Sequence, residues 1–110
     1  MIIYCGDRVL ADRIQTADSF LKRFVGLMGR ERLAEGEGLL LLDCRSIHCF
    51  FMKLTIDAVY LSADMKVLGT ETLKPWRVGR IFKDVRHVLE LPAGMAGKAA
   101  VGDTISIQGK

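Results

Sequence analysis

From Leu39 onward the chain is a succession of apolar runs of four to eight residues, each cut short by glycine, proline or an aspartate-containing turn. Runs of that length suit strands and are too short for helices that must bury a stripe. Leu39 to Leu42 is continuously apolar, the pattern of a strand buried on both faces. Ser46 to Met52 and Ile56 to Ser62 follow, and the turn Ala63-Asp64-Met65 feeds Lys66 to Leu73, which predicts a hairpin. Val85 to Leu91 stops at Pro92-Ala93-Gly94, Met95 to Ala100 has room for one helical turn, and Thr104 to Ile107 alternates after Gly102-Asp103. Near the N-terminus, Ile2 to Cys5 and Val9 to Ile14 flank Gly6-Asp7 as an opening hairpin.

One stretch changes period. Phe20, Phe24, Leu27 and Met28 fall at i, i+4, i+7 and i+8, one stripe of an α-helix over 19–28, with Thr16, Asp18 or Ser19 to cap it and Gly29 to stop it. The expected fold is α+β and mostly β. It is a small antiparallel sheet, partly closed like a barrel to hide its edges, with that helix packed on it. With 110 residues, half of them hydrophobic, the chain can bury one core and is too short for two domains. No apolar stretch reaches the roughly 18 residues of a membrane-spanning helix. Residues 1–7 lack the basic and apolar regions of a signal peptide, so the expected location is the cytoplasm. Cys5, Cys44 and Cys49 make an odd number, which suits reduced thiols better than a disulfide framework.

Cys44, His48 and Cys49 suggest a metal site, but strand geometry opposes one. His48 and Cys49 would point to opposite faces, and Cys44 would stand about 13 Å from His48 along a strand. The expectation is no metal and no cofactor. A Cys–His nucleophilic pair lacks a local signature around any of the cysteines. Lys74, Arg77, Arg80, Lys83 and Arg86, with Trp76 and Phe82 among them, have a nucleic-acid flavour. A net charge of +3 and the lack of a nucleic-acid motif favour a solvated loop instead, with Trp76 covering the core. Along 47–57, His48, Phe50 and Met52 would share one face. Asp57 and Glu90 are carboxylates inside apolar runs and need partners if buried, for which His48, Arg30 or Lys53 are candidates.

Several ordered motifs carry a family resemblance. They are Gly26-Leu27-Met28-Gly29-Arg30, Gly38-Leu39-Leu40, Ile47-His48 through Met52 to Ile56-Asp57, Leu73-Lys74-Pro75-Trp76-Arg77, Val88 to Gly94, and Gly102-Asp103. Together they resemble the prokaryotic family known as domain of unknown function 192, over roughly Val9 to Ile107. Phe51 and Leu54-Thr55 place the chain with a shorter, His-containing branch. The resemblance implies a compact β-rich fold and no reaction. Folding roles account for most of these motifs, with Gly38 and Gly94 serving turns.

The leading expectation is a small monomeric binding or accessory module, not an enzyme, whose ligand or partner face gathers His48, Met52, Asp57, Trp76 and Glu90. One rival is a hydrolase using His48 with Asp57 or Glu90. The other is a weak nucleic-acid binder using Lys74 to Arg86.

Overall fold

Ile56, Ala58 and Tyr60 pack into one apolar cluster and Val59 and Leu61 into another, and all five are fully buried. Alternate residues of a strand face opposite ways, so this is an interior strand of a sheet covered on both sides. The computed structural model describes residues 2–6, 8–17, 33–44, 55–79 and 83–108. Its strands are β1 (Ile2–Cys5), β2 (Arg8–Ala11), β3 (Arg13–Ala17), β4 (Glu37–Leu41), β5 (Ile56–Leu61), β6 (Val67–Leu73), β7 (His87–Pro92) and β8 (Ile105–Gln108).

They form two sheets. The smaller has the order β2-β1-β8 and the larger β3-β4-β7-β5-β6. The opening hairpin forms as β1 against β2, and the hairpin expected over 56–73 forms as β5 against β6. The run from Val9 to Ile14 is not one strand. It breaks at Asp12, where the amides of Asp12 and Arg13 both donate to the Gly36 carbonyl, at 3.0 and 2.9 Å. That bifurcated contact starts β3 alongside β4, and the two run parallel.

The main core lies between the sheets. Ile3, Cys5, Leu10 and Ile105 come from the smaller sheet, and Leu40, Val59, Leu61, Val67, Leu89 and Leu91 from the larger. Leu39, Leu41, Ile56, Tyr60, Leu73 and Val88 fill the other face of the larger sheet.

The α+β, barrel-like expectation is overturned. Among the described residues the fold is all-β, and the one helical element is a short 3-10 turn, Met95–Lys98. The helix expected over 19–28 and the strand expected over 46–52 lie outside the described residues. Among the described residues the sheets do not close into a barrel, because a single isolated bridge, Lys66 with Thr104, is the ladder contact that joins them there. Around it the Val67 amide donates to the Asp103 carbonyl at 2.8 Å and the Ile105 amide to Met65 at 2.8 Å. A barrel needs a continuous ladder there.

Gly38 does not serve a turn. It lies inside β4, where an added Cβ would stand 2.5 Å from the Ile14 side chain and 3.0 Å from the Glu90 carbonyl. Gly94 does serve one, with a φ of 90° just before the 3-10 turn.

Candidate functional site

Asp57 enters β5 one residue after Ile56, on the face that looks toward the smaller sheet. Cross-strand pairing puts it opposite Thr72 of β6 and Leu91 of β7. Its side chain is 4% exposed and accepts three hydrogen bonds. Thr72 Oγ1 donates to Oδ1 at 2.7 Å, and the amides of Gly94 and Ala96 donate to Oδ2 at 2.9 and 3.0 Å. The carboxylate therefore holds the loop after β7 against the β5–β6 hairpin, serving amides that would otherwise be orphaned at the start of the 3-10 turn. Above it opens a groove of about 340 Å³, lined by Asp57, Thr70, Glu71, Thr72, Gly94, Ala96 and Gly97. The Glu71 side of the hairpin is braced by the buried Tyr60, whose hydroxyl donates to Glu71 Oε1 at 2.9 Å.

Glu90 lies one step along the register, paired with Ala58 of β5 and Leu39 of β4. It shares a face with Val88, the face away from the smaller sheet, so the sheet stands between the two carboxyls. Glu90 is also 4% exposed. Burial pushes its carboxyl up to about 7, because an apolar surround disfavours the charged form. It carries a proton for much of the neutral range, whereas Asp57 is bound to donors on both oxygens.

A third polar group closes the far end of β4 and β7. The Asp43 amide donates to His87 Nδ1 at 3.1 Å, Arg86 Nε donates to Asp43 Oδ1 at 2.7 Å, and the Cys44 amide donates to the Arg86 carbonyl at 2.8 Å. Burial holds His87 below the usual imidazole range, against the pull of the Asp43 carboxylate and with the help of Arg86. Its Nδ1 is therefore an acceptor in this corner. At the other end of the molecule, the buried Cys5 thiol donates to Asp103 Oδ2 at 3.2 Å. Burial and that bond push the thiol up, which keeps it a poor nucleophile.

Of the residues expected to share one face, Asp57 and Glu90 are on opposite faces of the sheet. Trp76 is 59% exposed and does not cover the core. His48, Met52 and Cys49 lie outside the described residues, as do the partner candidates Arg30 and Lys53. Of the basic set, Lys74, Arg77 and Lys83 are exposed, Arg86 pairs with Asp43, and Arg80 lies outside the described residues. No three His, Cys, Asp or Glu side chains among the described residues cluster closely enough to hold a metal ion.

Thr70, Thr72, Gly94 and Gly97 were not anticipated as groove residues. The Asp57–Thr72 pair was within reach, since the hairpin was expected and counting back from its turn sets Asp57 near the two threonines. The link from Asp57 to the loop after β7 had no local signal.

The architecture and sequence both find relatives. A protein of unknown function from Novosphingobium aromaticivorans superposes with a TM-score of 0.84 at 19% identity, over 96% of this chain and 82% of that one. A candidate transcription regulator from Sinorhizobium meliloti superposes at 0.77 with 23% identity, over 96% and 88%. At such identities the likeness is one of fold. In sequence the chain is 37% identical to a UPF0127 protein of Pyrococcus horikoshii over 97 residues, 84% of each chain. It is 34% identical to a UPF0127 protein of Pyrococcus abyssi over 101 residues, again 84% of each. Residues 3–107 match the DUF192 family, described as an uncharacterized ACR, and with nearly its whole length matched the chain belongs to that family.

Proposed function

We propose that this protein is a binding module whose ligand sits in the groove over Asp57. One observation carries the reading: the groove is built around a carboxylate whose two oxygens are already engaged by Thr72, Gly94 and Ala96. A general base must be within reach of a substrate proton and able to take it. A carboxylate bound to three donors shapes the walls of a site instead. Threonine hydroxyls, the β6 strand at Glu71 (whose carboxylate is held on the other face of the sheet by Tyr60) and the bare backbone of Gly94 and Gly97 surround it. The groove is near the lower end of the size range of small-molecule sites. That lining of hydroxyls and backbone suits a small polar ligand that exchanges hydrogen bonds with it, such as a polyol or an amine.

The test is a thermal-shift and ligand-detected NMR screen of polyols, amines and amino acids, run in parallel on Gly97→Leu. Space is open around a Cβ at Gly97, so the leucine fills the groove without disturbing the fold. At least one compound class should bind the parent and lose binding in the variant. If no member binds, or if binding survives Gly97→Leu, the groove is not the site.

A further inference from the structure

The three groups that bond the Asp57 carboxylate are all neutral: one hydroxyl and two backbone amides. Such donors stabilise a carboxylate drawn out of water, yet it remains a charge, and a cation that reaches it is held more firmly than an uncharged group. None of the seven residues lining the groove above it is basic. The polarity of the bonds narrows the choice further. An ionised carboxylate only accepts, so the hydrogen of Thr72 Oγ1 is committed to Asp57 Oδ1. What Thr72 can offer a ligand is therefore its oxygen lone pairs. Oδ1 takes this one bond and keeps acceptor capacity, and the two oxygens stand 2.7 Å apart. Thr70 is two residues back on the same face of β6, about 7 Å along the strand, and it too lines the groove. The wall formed by the loop after β7 is bare, for a Cβ built at Gly94 or Gly97 would meet nothing within 4 Å.

We infer that the ligand of this groove is a primary ammonium seated on Thr72 Oγ1 and Asp57 Oδ1. Its third hydrogen turns toward Thr70, and its alkyl stem lies along the wall from Gly94 to Gly97. The inference rests on the reading of the groove as the binding site and selects among the ligands that reading admits. An ammonium has three donors and no acceptor, which matches a floor whose own hydrogens are spent on Asp57. A neutral polyol brings an acceptor with every donor and no charge. A quaternary ammonium brings the charge and no N–H.

The full chain is titrated with butylammonium, butyltrimethylammonium, 1-butanol, glycerol and butyrate at one ionic strength, and ligand-detected NMR gives each dissociation constant. The series is repeated on Gly97→Leu. Butylammonium should bind the parent more tightly than the others by about tenfold or more, and should lose that binding in Gly97→Leu. Thr72→Val removes the acceptor at nearly the same size and should weaken butylammonium about tenfold, whereas Thr72→Ser should stay within about threefold of the parent. The ligand series needs neither Thr72 variant, so it decides even if Thr72→Val fails to fold. Butyltrimethylammonium binding as tightly as butylammonium overturns the inference, and so does unchanged butylammonium binding in a folded Thr72→Val. Glycerol or 1-butanol binding as tightly, with that binding lost in Gly97→Leu, leaves the groove as the site and overturns the ammonium. Butylammonium binding that survives Gly97→Leu, or no binding by any of the five compounds, overturns the groove and the ammonium together.

Discussion

Asp57 and Glu90 sit on adjacent strands, equally hidden from water, and differ in what meets them. Asp57 is met by a hydroxyl and two amides, so its removal leaves three donors without an acceptor. Asp57→Ala should cost about 3 kcal/mol of unfolding free energy in a urea titration. Asp57→Asn should restore only part of that, since its amide group presents hydrogens to donors. Glu90 meets apolar side chains, and its value is raised from an ordinary glutamate's 4.5 to about 7. The folded protein therefore holds a proton that the unfolded chain releases between those two values. Stability should fall as pH rises from about 4.5 through 7 and then level off, by about 3 kcal/mol in all. Glu90→Gln should be insensitive over that window and more stable than the parent at pH 8. Melting curves of both proteins at pH 5 and pH 8 check this, and a parent protein without the fall would contradict the buried acid.

At the scale of elements, close approach and corner chemistry decide how the strands are held. Gly38 lets β4 lie against Ile14 of β3 and the Glu90 backbone of β7. Gly38→Ala should destabilise by about 1–3 kcal/mol, whereas Gly97→Ala, with open space around it, should stay within about 0.5 kcal/mol. Circular dichroism melts of the pair give the contrast. The corner where β4 ends is held by neutral His87. Since burial lowers its value below 6.5, the contribution of this bond is present above that pH and is lost as pH falls through the lowered value. Below it, the protonated Nδ1 faces the Asp43 amide donor to donor. The Asp43 amide should then exchange with solvent faster and shift in NMR spectra along the His87 titration. His87→Asn, whose side-chain oxygen can take the place of Nδ1 as acceptor and does not titrate, should abolish that pH dependence.

Across the whole molecule, the main core draws on both sheets, so the smaller sheet has no core without the larger, and the larger would lose the cover of one face without the smaller. Unfolding should be a single transition. Alkylation of Cys5, followed by mass spectrometry of its peptide, should track the loss of β-structure by circular dichroism. Earlier reaction would mean that the smaller sheet detaches. Much of the strand plan was legible beforehand, because length and alternation of apolar runs are local and the turns at Gly6-Asp7 and Ala63-Asp64-Met65 fix their hairpins. Division of the strands into two sheets was not legible. The partners of β1 and β4 lie far along the chain, β8 for one and β7 for the other, and no local pattern encodes that pairing. The same reason governs the site. By itself the sequence determined that Asp57 and Glu90 stand inside apolar strand runs and need partners if buried. Only the tertiary structure decided that one meets the turn at Gly94 and the other an apolar face, because a one-residue difference in register sends neighbouring side chains to opposite sides of a sheet.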